Sequence, residues 1–265
     1  MTRTLTAILL CAMALPALAE PVIEDASPPG MDSYMTPGDR DHDGISDTDY
    51  QMLTDAGRTV GFQGGKAQRA WELAQVLKSR DASLSRLYDF RPLISRQGYL
   101  PPVIDLATDM AHITPDQIRT AYRTYKIIVP ARFVSNPPGW RTYLLAGLSG
   151  KKIADPDASV QPKDSNEMAV WQTAISKGWA EGRESADQTL EANVNRLTRD
   201  YTGMLRYSAL LQQGMIQAPD ITEKQQSVTG DRDQLLIGDK VKRMKDPAGF
   251  VTDKLHWQPV IRVEK

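Results

Sequence analysis

Residues 165–213 carry an apolar or small residue at Met168, Trp171, Ile175, Gly178, Gly182, Ala186, Leu190, Val194, Leu197, Tyr201 and Leu205, in steps of three and four. That is the period of one helix face. Asp164, with Glu167 three residues on, makes a capping-box start, and Gly214 stands where a left-handed C-terminal cap belongs. A single helix over this stretch would run about 73 Å at 1.5 Å per residue, long for a core of this size. It either kinks, with Thr202-Gly203 the best place, or extends beyond its own domain to pack on something else. Gly178, Gly182 and Ala186 are four apart and let another backbone approach closely. Packing within the chain is the favoured reading, because Lys177, Glu181, Arg183 and Glu184 surround the stripe and argue against a bilayer.

The rest of the chain supplies partners for such a helix. Residues 63–80 read as a helix with Ala70, Trp71, Ala74, Val76 and Leu77 on an apolar face. Asp81 is placed to cap a short second helix, "ASLSRLYDF", and Arg91-Pro92 ends it. From Tyr99 the composition changes: "YLPPVIDLATDMAHI" and "IRTAYRTYKIIVPARFV" flank Thr114-Pro115-Asp116 and predict paired strands. "PPGWRTYLLAG" restarts a short helix. In the tail, "QLLIGDKVKRM" places Gly238-Asp239 as a two-residue hairpin turn. The expected fold class is α+β: one long helix packed with shorter helices and small antiparallel sheets. The expected division is a leader over 1–19, an acidic flexible arm over 20–60 and a core domain over 61–265.

The first twenty residues, "MTRTLTAILLCAMALPALAE", have a basic start, an apolar run and Ala17-Leu18-Ala19 before Glu20, the pattern of a cleaved secretory leader. This predicts export to a bacterial periplasm, and no later stretch reaches the ~20 apolar residues of a membrane-spanning helix. Cys11 is the sole cysteine of the 265 residues. Leu10 stands where a lipoprotein leader needs a small residue, so a lipid anchor at Cys11 is not expected. Cleavage after Ala19 would leave no thiol for disulfide, nucleophile or metal.

Net charge is −1, but it is unevenly placed. Residues 20–50 hold nine acids and one base, Arg40, and the chain from 51 onward is correspondingly basic, by about +6. Within the arm, Asp39, Asp41, Asp43, Gly44 and Asp47 fit D-x-D-x-D-G-x-x-D. Alternate aspartates around a glycine turn converge hard oxygens, and the Ile45 carbonyl can add one more. Tyr50 stands where an EF-hand has its bidentate Glu. Two readings fit: a weak structural calcium site at Asp39, Asp41, Asp43, Ile45 and Asp47, or a plain acidic turn. A bound calcium would stiffen the arm and catalyse nothing.

The residues for catalysis are few. "GLSGKKIAD" has the wrong spacing for a phosphate-binding loop. Ser149-x-x-Lys152 matches S-x-x-K, but no K-T-G accompanies it. His42, His112 and His256 form no metal-binding pair, and Glu181 and Glu184 read as solvated. Basic and aromatic residues interleave in "YRTYKIIVPARF" and "GWRTY", which suits a half-buried strand better than a nucleic-acid surface.

Four separated blocks, "LYDFRPLI…LPPVID", "RTYKIIVPARFVSNPPGWRTYLL", residues 167–219 and "SVTGDRDQLLIGDKVKRM", occur in an order that resembles the DotC family of type IVB secretion and related conjugation systems. The resemblance covers roughly 50–245. It implies a non-enzymatic, multi-copy subunit of an outer-membrane core complex, needing no cofactor and making no direct contact with nucleic acid. It further implies work with small outer-membrane lipoproteins and a larger channel subunit that it helps reach the outer membrane. Pro101, Pro102, Trp140, Arg141, Trp179 and Gly182 then read as packing or interface positions. Family members usually bear a lipidated cysteine, so membrane association here would come through partners. The alternatives from other classes are a free periplasmic calcium-dependent binding module and a periplasmic serine hydrolase using Ser149 and Lys152.

Overall fold

The structure is a computed structural model that describes residues 27–28, 30–35, 45–151, 156 and 158–258. Its helices are α1 (Asp32–Met35), α2 (Asp47–Ser79), α3 (Asp81–Leu87), α4 (Trp140–Leu144) and α5 (Ser165–Gln212). Its strands are β1 (Tyr99–Leu100), β2 (Val103–Thr114), β3 (Gln117–Val129), β4 (Arg132–Phe133), β5 (Ile216–Gln217), β6 (Asp220–Gly230), β7 (Leu235–Asp246) and β8 (Gly249–Phe250). They pair antiparallel into four two-stranded sheets, β1–β4, β2–β3, β5–β8 and β6–β7. The fold is α+β, with one long helix against shorter helices and small antiparallel sheets.

α5 is one continuous helix through Thr202-Gly203, the place offered for a kink as one of two alternatives. Gly203 serves close approach instead: a Cβ there would lie 2.5 Å from Val103 Cγ1 and 2.9 Å from the Ile104 nitrogen, so β2 crosses the helix on bare backbone. Both ends of α5 follow the sequence signals. Asp164 Oδ1 accepts from the Asn166 and Glu167 amides at 2.8 Å each, and Glu167 reaches back to the Lys163 amide at 2.7 Å. At the far end Gly214 has φ +68°, its N–H bonds Leu211 O, and the Met215 N–H bonds Leu210 O, a Schellman close.

The backbone that approaches the small stripe belongs to α2, which begins at Asp47 and not at 63, taking in residues assigned to the arm. The two helices run parallel. Gly57 meets Trp171 and Ala174, Gly61 meets Ile175, and Gly65 meets Trp179; in return Gly178 meets Arg58 and Gly182 meets Phe62. Added Cβ atoms would stand 2.1–2.3 Å from carbonyl oxygens at Gly61, Gly65, Gly178 and Gly182. No side chain fits, so the helices touch backbone to backbone. Leu53, Trp171, Ile175 and Trp179 fill the space beside this seam.

Ion pairs flank the seam. Arg58 grips Glu181 with two bonds of 2.8 Å, Arg183 grips Glu72 at 2.9 and 3.0 Å, and Arg69 reaches Asp187 at 2.9 Å. Glu181, read from sequence as solvated, is therefore a paired carboxylate. The second core gathers α3, α4 and the strand bases around Phe90, Leu100, Val103, Trp140, Leu144, Leu197 and Met204. Buried Asn193 donates to Leu144 O and Ala146 O, tying the end of α4 to α5.

Two further expectations are corrected. Asp81 makes no cap; it is the first residue of α3, and its carboxylate accepts from Trp140 Nε1 at 3.0 Å and Arg141 Nη2 at 2.7 Å. Gly238-Asp239 is no hairpin turn. β7 runs straight through it, and the turn is at Asp231–Gln234, where the Asp231 carboxylate accepts from the Asp233 and Gln234 amides. The Asp231 side chain holds that turn more firmly than a bare Gly-Asp pair would.

Candidate interaction surface

The predicted hairpin at Thr114-Pro115-Asp116 is present, with Thr114 Oγ1 donating to Asp116 Oδ1 at 2.9 Å. β2–β3 and β6–β7 are both ribbons of eleven to thirteen residues per strand, about 40 Å long at ~3.4 Å per residue. Among the described residues each is anchored at its base. On β2–β3, Ile104, Tyr125 and Ile127 pack with Tyr207 and Leu210, and Arg206 donates to Ile104 O. On β6–β7, Lys242 Nζ donates to Gln97 O at 3.2 Å. The outer parts are open to solvent: Tyr122 is 74% and Ile237 79% exposed, with Ile118, Met110, Val228 and Val241 also exposed.

Register assigns these residues to faces. Ile118, Thr120, Tyr122 and Thr124 of β3 alternate onto one face, Thr120 and Thr124 paired with Ala111 and Ala107 of β2. The Arg123 guanidinium lies 5.4 Å from the Tyr122 ring. Val228 and Ile237 are directly paired on β6–β7. In each ribbon one rung is missing from the ladder at a residue of positive φ, Asp109 at +51° and Gly238 at +73°, with the register unchanged on either side.

Two-stranded ribbons are marginal in water, and their outer strand edges are templates for pairing. At the base of β2 side chains take up backbone groups, Arg206 donating to Ile104 O and Asp105 accepting from the Leu106 amide. Electrostatics on the ribbons is local: Lys240 and Lys242 hold Glu223 below the ordinary carboxylate range.

The residues singled out by sequence are elsewhere. Asp39, Asp41 and Asp43 lie outside the described residues, as do His42, Cys11 and Lys152. Ile45 precedes the cap of α2, and Asp47 is its first residue; Ser46 Oγ accepts from the Asp49 amide and donates to Asp49 Oδ2 at 2.7 Å. Acids at this end suit the N-terminal dipoles of two parallel helices. Among the described residues no group of three or more His, Cys, Asp or Glu is placed to share a metal. Ser149 Oγ faces the Lys151 amide at 3.4 Å.

Pro101, Pro102, Trp140, Trp179 and Gly182 are packing positions. Arg141 pairs with Asp81 while stacking over Trp140, 4.8 Å from its ring. The Trp140 indole N–H first, and Arg141 after it, holds the Asp81 carboxyl below its usual range. Burial, with the nearby Asp200 carboxylate, pushes the Tyr143 phenol up to about 12.

The fold and surface define a class: two long parallel helices with a packed α3–α4 core, presenting two β-ribbons whose outer parts are open to solvent. Residues 47–259 match the family described as type IV secretory system, conjugal DNA-protein transfer, and the chain belongs to it. No curated protein matches the chain. The match begins at Asp47, the first residue of α2.

Proposed function

We propose that this protein is a non-catalytic scaffold subunit of a type IV secretion or conjugative transfer apparatus, DotC-like in its place within an outer-membrane core complex. It works in the periplasm after export and supports assembly and outer-membrane targeting of the channel subunit. It reaches the membrane through its partners, needs no cofactor, and carries calcium, where it does, as a stiffener of the arm. One observation supports this above the others: two ~40 Å ribbons expose Ile118, Tyr122, Val228 and Ile237 with open strand edges, a surface that gains its stability from other subunits.

The test is affinity purification from envelope membranes with the wild-type chain, Ile118→Asp/Tyr122→Asp, and Val228→Asp/Ile237→Asp. The expected result is recovery of other transfer-system proteins with wild type and their loss with one or both ribbon variants, at unchanged thermal stability. Equal recovery by all three proteins overturns the assignment of the ribbons. Wild-type chain recovered alone overturns the scaffold reading.

A further inference from the structure

The chain after β8 has a direction. The Val251 N–H bonds Met215 O, a Cβ at Gly214 would meet His256 O and the Trp257 Cα, and the Gln258 N–H bonds Gln213 O at 2.8 Å. From Met215 through Gly214 to Gln213, the chain therefore turns back along α5, and the described residues end there.

Ahead of it α5 has one open face. Thr202, Leu205, Ala209 and Gln212 are all exposed, Leu205 by 45%, and at about 100° per residue they fall within about 80° of arc. Beside that face, toward β2, a groove of about 350 Å³ has Asp105, Arg199, Thr202 and Arg206 in its lining. Arg206 is engaged with Ile104 O and Arg199 with Asp200, but Arg199 keeps 48% of its side chain exposed. The chain that follows Gln258 reads Pro259-Val260-Ile261-Arg262-Val263-Glu264-Lys265. Its β-branched residues favour an extended backbone, and Pro259 lowers the entropy lost on ordering it. Alternation puts Ile261 and Val263 on one side, Arg262 and Glu264 on the other.

We propose that this segment docks extended along that face of α5, Ile261 and Val263 against Leu205, Arg262 and Glu264 toward the groove. The reach is adequate. From Gln258 to Lys265 the chain spans up to about 24 Å when extended, and from Gln213 back to Arg199 the helix rises about 21 Å. Each extended residue passes about two helical ones. Ile261 thus comes level with Leu205 and Arg206, and Glu264 level with Arg199. Arg262, between them, faces Asp105, whose neighbour Ile104 sits against Gly203 and Arg206. Opposite charges meet in register on one side of the segment, and apolar side chains meet Leu205 on the other. Docked, the segment covers Leu205 and closes the groove at the base of the β2–β3 ribbon; released, it opens both. The inference is independent of the scaffold reading.

The experiment is disulfide trapping in the full-length chain carrying Cys11→Ser. The pair Leu205→Cys/Ile261→Cys is compared with Leu211→Cys/Ile261→Cys. Leu211 is 38% exposed and nearer the anchor at Gln213, but about 120° around the helix from Leu205. Under mild oxidation the 205–261 pair should close within one chain on the order of tenfold faster than the 211–261 pair. Maleimide labelling of Leu205→Cys alone should speed up several-fold when Ile261→Asp/Val263→Asp is added, at unchanged Tm, while labelling of Leu211→Cys stays the same. Equal closure rates overturn the proposal, as does a 205–261 disulfide that forms only between two chains. So does labelling of Leu205→Cys that is indifferent to Ile261→Asp/Val263→Asp.

Discussion

Gly182→Ala tests the parallel helix seam. At an open helix position this change stabilises by about 1 kcal/mol through propensity alone. At Gly182 the new methyl would stand 2.1 Å from Phe62 O and 2.8 Å from the Lys66 nitrogen, both backbone atoms that no rotamer change can move. An unstrained C···O contact needs about 3.3 Å, so the helices must part locally by roughly 1 Å. A gap of that size forfeits a quarter to a half of each dispersion contact across the seam. Overpacking of this kind costs ~3 kcal/mol at the upper end of its usual range, and subtracting the propensity gain leaves a net loss of about 2 kcal/mol. For a body of this size that lowers Tm by ~4–8 °C. Calorimetry of Gly182→Ala beside Ala192→Gly, a propensity change on the exposed side of α5, separates the two effects. A Tm for Gly182→Ala equal to or above wild type would refute backbone-to-backbone contact.

Trp140→Phe removes the indole N–H that bonds Asp81 and Ser85 from a residue only 2% exposed, and should cost ~1–3 kcal/mol in urea titration. Gly214→Ala forces a side chain to φ +68° and within 2.4 Å of His256 O; the loss should exceed ~1 kcal/mol, seen first as faster amide exchange at Met215. The Arg183 hydrogen bonds first, and those of Arg69 after them, hold the Glu72 carboxyl below its ordinary range. Its contribution is therefore complete above about pH 4.5 and falls away as the carboxylate takes up a proton at lower pH; Glu72→Gln should flatten the acid limb of Tm against pH. The Tyr143 phenol, raised to about 12, has the opposite sign: its contribution is whole below about pH 10 and declines toward 12, a decline that Tyr143→Phe should remove.

The stripe Met168 to Leu205 announced α5 because a one-face period survives even where the face is built of glycine. The matching stripe Gly57, Gly61, Gly65 went unread for a physical reason. Intrinsic propensity marks glycine as a helix breaker, so Gly57 and Gly61 argued against a helix before 63, and only the partner backbone makes them favourable. The same blindness moved the start of α2 from Asp47 to 63. Ser46 and Asp49 formed a readable cap, but the alternating aspartates before them suggested oxygen ligands first. Gly238 misled in the other direction: a positive φ does occur there, within a skipped rung and not at a turn. Trp140 and Arg141 were legible as important, but whether they pack or bind could not be read without Asp81, 59 residues away from Trp140. The exposed ribbon residues were least legible, since an alternating strand looks the same whether its apolar face meets a core or empty solvent.

The division of labour in the fold bears on how its parts tolerate change. The seam and the α3–α4 core use glycines and large buried aromatics whose substitution is felt at once. The ribbons contribute little to the body beyond their bases at Ile104, Tyr125 and Ile127, and exposed substitutions there should lie within about 0.5 kcal/mol of wild type. Binding can thus change while the body stays folded, and a defect in transfer with an unchanged Tm is the signature that separates loss of a partner contact from loss of the fold. Within the body, the parallel helices put both N-terminal dipoles at one end, where Asp49, Asp164 and Glu167 offset them. The cost of that arrangement is met by the four close glycine contacts and the Arg58, Arg69 and Arg183 pairs beside them. Removing the pairs alone should leave the seam closed; opening the seam should break the pairs as well. Gly182→Ala combined with Glu72→Gln should therefore destabilise by less than the sum of the two single changes.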